Sequence, residues 1–192
     1  MIWTIPGTVL QEDRAEARNT GRMFRSMYLA GDMALGQVAG ISGLEPYMIQ
    51  NWVKRGFLSP PRAKRYSMNQ LCRILNINML RGTLPMDRIC GLLTYINGQL
   101  DDEGDDLIDD SELYFMFVTL AARAEQIRDP SAWAAETEKV LADYQERSPG
   151  ARNRVAKVLQ VMMAAWVSTC MRLEAERLLG QIDQETEVRR VD

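Results

Sequence analysis

Two short helices joined by a tight turn are predicted for residues 35–56. Apolar residues recur at the i, i+3, i+4 spacing of a buried helix face: Leu35, Val38 and Ala39 in the first helix, then Ile49, Trp52 and Val53 in the second. Gly43 lies between them, where a residue without a Cβ adopts a positive φ at little cost. Glu45 and Pro46 begin the second helix, because proline at the first helical position gives up only an unpaired N–H. Gly56 ends it.

The rest of the chain also carries helical periodicity. One helix is predicted after an irregular start, within residues 12–30. Further helices are expected at 67–81, 85–96, from 111 to about 127, from about 131 to 144, and at 152–179. The last is apolar on almost all sides between residues 158 and 167, which is typical of a helix packed against other helices or a second subunit. The pattern predicts a mainly α protein.

Polar and basic residues cover the opposite face of the second helix and the segment after it. On the helix they are Tyr47, Met48, Gln50, Asn51, Lys54 and Arg55, and in the segment they are Arg62, Lys64, Arg65 and Tyr66. Amide side chains pair with base edges and cations neutralise phosphates. A basic hairpin after two such helices is the layout of a winged helix, so the pattern favours DNA binding. The alternative is the polar face that any exposed helical hairpin carries.

Residues 35–96 resemble the MerR superfamily of transcription regulators. The matching positions are Leu35, Gly36, Val38, Ala39, Gly43, Leu44, Pro46, Ile49, Trp52, Gly56, Leu58, Pro60, Arg62, Arg65 and Tyr66, followed by Leu71, Ile74, Leu80, Arg81, Leu84, Ile89 and Leu92. The Arg-Tyr-Tyr-Glu run usual in that superfamily is replaced at positions 50–53, so the operator preference of typical members does not transfer. The runs YMIQNWVKRGFL and KRYSMNQL are more similar still to a MerR-like bacterial domain of unknown function, number 1836.

The resemblance and the composition together divide the chain into four parts. An N-terminal helical extension covers 1–31, and a MerR-like winged helix-turn-helix with a small β-hairpin wing covers 32–98. An acidic linker at 99–110 leads to a helical dimerisation and effector domain at 111–192. Candidate residues for an effector pocket are Tyr114, Phe117, Trp133 and Trp166. Aromatic residues at helical spacing are more often plain core, and both interpretations stay open.

The charge of the chain is segregated. The net charge of -3 conceals eight basic against two acidic residues between 45 and 92, and fourteen acidic against three basic between 93 and 146. Because the local field governs the approach to phosphates, a basic module inside an acidic protein can bind DNA. The seven acids of the segment around Gly104, residues 101–110, do not match the ligand spacing of a calcium loop, so a solvated linker is the better interpretation.

Several classes of function are disfavoured by residue usage. The chain has no histidine, which excludes Ser–His and Cys–His catalysis. Cys72, Cys90 and Cys170 are widely spaced, so we expect neither a metal site nor a disulfide framework, and a packing role for each. No cofactor motif is present, and an enzyme is not expected. The longest apolar run is too short to cross a bilayer, and no signal peptide is recognised, so we expect a cytoplasmic protein without membrane partners.

The sequence therefore predicts a sequence-specific transcription regulator that binds double-stranded DNA as a homodimer. Its recognition helix would enter the major groove and its wing would contact phosphates. Control by a small-molecule effector is an additional hypothesis. The alternative is a winged-helix module for protein–protein interaction that does not bind DNA.

Overall fold

The computed structural model describes residues 1–98, 100, 104–123 and 129–191, with the backbone alone for 130 and 185–191. Within these residues the chain forms the helices α1 Thr20–Met27, α2 Leu35–Ser42, α3 Pro46–Lys54, α4 Met68–Leu80, α5 Met86–Asn97, α6 Asp110–Ala121, α7 Pro130–Val140 and α8 Ala151–Val191. The strands β1 Ile2–Thr4 and β2 Gln11–Asp13 pair antiparallel, as do β3 Met33–Ala34 and β4 Arg65–Tyr66. A short 3-10 helix occupies Arg14–Asn19. The mainly α prediction is confirmed.

The first thirteen residues are a β-hairpin and not part of a helical extension. In β1 and β2, Ile2 pairs with Asp13 and Thr4 with Gln11. The turn between them packs on α4: Gly7 has φ +76°, and a Cβ there would lie 2.5 Å from the Leu75 carbonyl oxygen. The strands are three residues long, too short for alternation to be recognised in the sequence. The later part of the extension is helical: the 3-10 helix Arg14–Asn19 leads into α1, which is the helix that the sequence predicted.

Asn78 of α4 holds the N-terminal hairpin against α2. Its Nδ2 donates hydrogen bonds to the carbonyl oxygens of Gly7 and Ser42, each at 2.9 Å. One amide group thereby satisfies two backbone acceptors from segments distant in sequence. The N-terminal residues are therefore part of the framework that positions α2.

Helix α4 lies at the centre of the molecule. Its fully buried apolar residues are Leu71, Cys72, Ile74, Leu75, Ile77 and Leu80. It contacts α2, α5, α6 and α8. The helix begins with a capping box, in which the Ser67 hydroxyl accepts from the Gln70 N–H at 3.2 Å and the Gln70 side chain accepts from the Ser67 N–H at 3.0 Å. Both α4 and α5 end within a residue or two of their predicted bounds.

A buried ion pair joins α4 to α6. Arg73 is 5% exposed, and its Nη1 lies 3.2 Å from Oδ2 of Asp110, the first residue of α6. Its Nε also donates to the Phe57 carbonyl oxygen at 3.1 Å, which ties the segment after α3 to the same helix. Burial raises the pKa of Asp110, although the positive charge of Arg73 acts in the opposite direction.

The acidic segment before α6 is not solvated along its whole length. Leu107 and Ile108 are buried, and the Tyr144 hydroxyl donates to the Leu107 carbonyl oxygen at 2.6 Å. Together with Asp110, these residues attach the segment to the core. Residues 99 and 101–103 of the predicted linker, and residues 124–128 at the predicted end of α6, lie outside the described part of the chain.

Helix α8 has a packed half and an exposed half. In the first half, Val155, Val158, Leu159, Met162 and Met163 are buried in the core. From residue 171 to 184 almost every residue is exposed. The helix is longer than the predicted 152–179, and at about 1.5 Å per residue it extends well beyond the core. No helix among the described residues is long and apolar enough to span a membrane.

The three cysteines differ in environment. Cys72 is buried in α4, and burial raises the pKa of its thiol well above the usual value. Cys90 is half-buried, and burial raises its pKa as well. Cys170 is exposed on α8, so the expected packing role was wrong for this residue. The apolar pattern of this stretch comes from the residues on either side of Cys170, and Cys170 itself lies on the exposed face.

Replacing Asn78 with alanine is expected to lower the free energy of unfolding by about 1–3 kcal/mol, because the carbonyl groups of Gly7 and Ser42 lose their shared donor. Urea denaturation measures the change. Asn153→Ala, at an exposed position of α8, is the matched control and gains the same helix propensity without losing a contact. Equal stability of the two variants would show that the Asn78 amide does not hold the hairpin in place.

Candidate nucleic-acid interface

Helices α2 and α3 are joined by a turn that requires glycine. Gly43 has φ +67°, and its N–H donates to the Ala39 carbonyl oxygen at 2.9 Å. A Cβ at this position would lie 2.6 Å from Cγ1 of Val9, because the N-terminal segment packs on the turn. The Val9 N–H also donates to the Ile41 carbonyl oxygen at 3.0 Å. The turn is therefore closed by its own glycine and supported by the N-terminal hairpin.

Helix α3 turns its apolar face inward and most of the predicted site residues outward. Ile49 and Trp52 are buried in the core. The exposed residues are Tyr47, Gln50, Asn51, Lys54 and Arg55, whereas Met48 is half-buried. Neither Gln50 nor Asn51 makes a side-chain hydrogen bond to another described residue, so both amides are available to an external partner.

Arg55 at the end of α3 is held by an aromatic ring. Its guanidinium carbon lies 4.6 Å from the centre of the Phe57 ring. A cation over an aromatic face at this distance is attracted by the ring quadrupole. The Phe57 backbone is fixed in turn by Arg73. Arg55 is therefore presented at the surface in a defined orientation.

The basic segment after α3 forms a tight hairpin. Arg62 and Arg65 pair as an antiparallel bridge, and the Arg65 N–H donates to the Arg62 carbonyl oxygen at 2.8 Å. The two residues between them, Ala63 and Lys64, have φ of 47° and 62°. Two consecutive positive φ values are typical of a type I′ turn. Lys64 is thereby placed at the exposed tip.

The hairpin is attached to the fold on both sides. Strand β4 pairs with β3, and the Arg65 guanidinium donates to the Asp32 carbonyl oxygen at 3.2 Å. On the other side, Nε2 of Gln70 donates to the carbonyl oxygens of Ser59 and Pro60 at 3.0 and 3.1 Å. The hairpin is thus held to the start of α4 and to the residue before β3.

Tyr66 does not lie on this surface, and its assignment to the DNA-binding residues is corrected. Its side chain is 3% exposed, and burial raises the pKa of its hydroxyl. The reason is the alternation of a β-strand, which turns the side chain of Arg65 outward and that of the next residue inward.

The predicted effector residues lie in or beside the core. Tyr114 and Phe117 are fully buried. The Tyr114 ring lies 5.8 Å from the rings of both Phe24 and Phe115, and its hydroxyl donates to the Pro6 carbonyl oxygen at 2.8 Å. Trp133 and Trp166 are partly buried and pack against the core. The effector pocket stays a prediction, and these positions match the alternative of plain core residues.

A polar cavity of about 560 Å³ lies behind the basic hairpin. The sequence analysis did not predict this cavity. Its walls come from the hairpin, the start of α4, the end of α5 and the start of α6. The described lining residues are Asp32, Ser59, Pro60, Arg62, Arg65, Ser67, Asn69, Gln70, Arg73, Asn97, Leu100, Asp106 and Asp110. None of the four predicted effector residues is among them. No sequence signal links these residues, because they come from five separate segments.

Comparison with known proteins gives one family match. A family model described as a domain of unknown function (DUF1836) matches residues 32–117. The matched range begins just before β3 and ends within α6, so it includes the hairpin, α4 and the residues of the Arg73–Asp110 pair. No curated protein and no solved structure matches the chain.

The type I′ turn predicts opposite effects of two substitutions at Ala63. A left-handed conformation costs an L-residue about 1–2 kcal/mol, and asparagine bears this cost best among residues with a Cβ. Ala63→Asn is therefore expected to raise the free energy of unfolding by about 0.5–1 kcal/mol, whereas β-branched Ala63→Val should lower it. Urea denaturation of both variants tests this. Changes of the same sign would argue against positive φ at the hairpin tip.

Proposed function

We propose that this protein is a sequence-specific transcription regulator that binds double-stranded DNA through a MerR-like winged helix-turn-helix. In this proposal α2 and α3 are the helix-turn-helix and α3 is the recognition helix. The observation that carries it is the exposed face of α3, where two amides without a hydrogen-bond partner among the described residues lie beside two cations. Asn and Gln side chains can bond adenine through both donor and acceptor atoms. Lys54 and Arg55 would neutralise phosphates beside the groove.

The hairpin supports the same proposal as a wing. Its tip residue Lys64 is exposed and makes no ion pair within the described residues. Arg62 and Arg65 are exposed on either side of the turn. A cation at the tip of an anchored hairpin can approach the sugar-phosphate backbone and set the register of the recognition helix. The positive charge of residues 45–92 would favour this approach even though the whole chain is acidic.

A protein–protein interaction module is the competing interpretation of the same surface. The centre of a protein interface is usually depleted of lysine, whereas this surface carries Lys54 and Lys64. The apolar residues Ile49 and Trp52 of α3 are buried in the core, and Tyr47 is the large hydrophobic residue that this surface exposes. These features favour nucleic acid as the partner.

The decisive experiment is a fluorescence-anisotropy titration with DNA from the region upstream of the protein's own gene, beside random DNA, at two salt concentrations. Tighter binding of the upstream DNA with steep salt dependence is expected of an autoregulator. Equal and weak binding of the upstream and the random DNA would show that the protein attracts DNA by charge alone and does not recognise its sequence. Absence of binding at low salt would overturn the proposal and favour the interaction module.

Two substitutions should separate phosphate contacts from base contacts. Lys64→Ala is expected to weaken binding to all sequences and to reduce the slope of log K against log salt by about 0.9, the value for one phosphate. Asn51→Ala is expected to leave that slope unchanged and to reduce discrimination between DNA sequences by about 1–3 kcal/mol. Lys157→Ala, at an exposed position of α8, is the charge-matched control. The proposal fails if the control changes the slope as much as Lys64→Ala does.

We further propose that the regulator is a homodimer joined through a stripe of exposed residues that runs along α8 from residue 161 to 182. The positions Val161, Ala164, Ser168, Met171, Ala175, Leu178 and Ile182 alternate in steps of three and four residues, and all are exposed. This spacing is the a and d pattern of a coiled coil. The charged neighbours Arg172–Glu176 and Glu174–Arg177 are paired within the helix, so two copies would approach without net repulsion from these groups. A dimer would bury an apolar stripe that α8 otherwise exposes.

Leu178→Glu is expected to convert the dimer to a monomer, because it places two charges in the apolar seam of the helix pair. Leu173→Glu is the matched control, since Leu173 is 49% exposed but lies outside the stripe. Analytical ultracentrifugation should find a dimer for the original protein and for the control. A monomeric original protein, or dissociation of both variants alike, would contradict the role of the stripe.

A further inference from the structure

Phe57 follows the end of helix α3 and is held at both of its backbone polar groups. Its N–H donates to the Trp52 carbonyl oxygen at 2.9 Å, and the Gly56 N–H donates to the Val53 carbonyl oxygen at 3.0 Å. Because Gly56 has φ +72°, these two bonds form the Schellman motif that closes many helices. The Phe57 carbonyl oxygen accepts from Nε of Arg73 at 3.1 Å. The backbone of Phe57 is therefore fixed by α3 on one side and by α4 on the other.

Arg73 uses separate atoms of its guanidinium group for two partners. Its Nε donates to Phe57, while its Nη1 lies 3.2 Å from Oδ2 of Asp110. The guanidinium group is planar and rigid, so fixing Nη1 also fixes the direction in which Nε donates. Arg73 is 5% exposed, and water has little access to either contact. Asp110, at the start of α6, therefore orients the group that holds Phe57.

The ring of Phe57 extends this chain of contacts to Arg55 at the surface. The guanidinium carbon of Arg55 lies 4.6 Å from the centre of the ring, within the distance of about 6 Å at which a cation is attracted to an aromatic face. The thiol of Cys90 on α5 gives a second indication. Burial raises the pKa of this thiol, whereas the positive charges of Arg73 and Arg55 lower it. Both guanidinium groups therefore lie near the same side chain of α5.

We infer that Arg73 and Asp110 are positioning residues of the proposed DNA interface, which act through Phe57 to hold Arg55 ready for a phosphate. This inference rests on the proposed binding of duplex DNA. Neither positioning residue offers its own charge to DNA, because the Arg73 and Asp110 side chains are 6% and 13% exposed and are paired with each other. A side chain that is ordered before binding loses less conformational entropy when the partner arrives. The first turn of α6 thereby influences the affinity of a surface on α3.

The first test observes the position of Arg55 in the free protein. In a proton–nitrogen correlation NMR spectrum of the full chain, the Nε–H resonance of Arg55 is identified as the one that Arg55→Lys removes. The current of the Phe57 ring should displace this resonance, and Phe57→Leu should abolish the displacement. The double substitution Arg73→Met with Asp110→Asn leaves no buried charge unpaired, and it is expected to shift the resonance toward its place in Phe57→Leu. An unchanged resonance in the double variant would overturn the inference.

The second test measures what Arg55 contributes to DNA binding in each background. It uses anisotropy titration with DNA from the region upstream of the protein's own gene. In the original protein, Arg55→Ala is expected to weaken binding at least about fivefold, whereas in the double variant of Arg73 and Asp110 it should weaken binding less than about twofold. An ion pair that only stabilised the fold would leave the effect of Arg55→Ala unchanged.

Two further backgrounds control for folding and for loss of charge. Phe57→Leu retains the Arg73–Asp110 pair, and it should also reduce the effect of Arg55→Ala to less than about twofold, which keeps the test decisive if the double variant does not fold. Arg123→Met with Glu136→Gln removes an ion pair between the end of α6 and α7. It makes the same change of charge far along the chain from α3, so Arg55→Ala should keep its full effect there.

The outcomes separate this inference from the proposed function. Equal effects of Arg55→Ala in the original protein and in the Phe57→Leu and Arg73/Asp110 variants would overturn the positioning role and leave DNA binding intact. Absence of DNA binding by the original protein would overturn both proposals together.

Discussion

The burial of α4 on nearly all sides is the constraint on which the rest of the fold depends. Polar side chains on such a helix gain by finding partners, because desolvated donors are costly. Asn78 therefore holds the N-terminal hairpin and the end of α2. Arg73 meets the same requirement by binding the Phe57 carbonyl oxygen and Asp110. The helix pair that carries the candidate interface, the segment after α3 and the start of α6 are thus all positioned from one buried helix.

The basic hairpin at residues 62–65 contributes to two surfaces because of its backbone geometry. Two consecutive residues with positive φ make the chain reverse within two residues, so Lys64 stands at the tip. Arg62 and Arg65, one on each side of the turn, line the cavity behind it. One short segment therefore presents Lys64 to solvent and contributes Arg62 and Arg65 to the cavity wall.

Helix α8 combines two different roles along one continuous element. Its first half completes the core with Val155, Leu159 and Met162. A heptad pattern of exposed, mostly apolar residues runs from residue 161 of the first half to residue 182 of the second. A helix segment that extends past the core depends mainly on its own propensity and on side-chain pairs for stability. Packing against a second copy would supply the missing burial, and it would also place two α3 helices in one assembly.

The sequence by itself determined the elements whose signals are local. Pro46 and Gly56 bound α3, the Ser67–Gln70 capping box begins α4, and the apolar spacing of each helix identifies its inward face. The side of α3 that is exposed followed from the same spacing. These features were predictable because a helix is formed by residues that are neighbours in the chain.

Tertiary structure alone decided the features that depend on distant partners. The N-terminal hairpin forms because its turn packs on α4, and Asp110 is buried because Arg73 lies opposite it. In the sequence, Asp110 was one more acid in a segment that looked solvated. Tyr66 followed basic residues and looked exposed, but strand pairing with β3 turns it into the core. The cavity required five segments to meet. No local pattern encodes such contacts, since their free energy arises only when the core has formed.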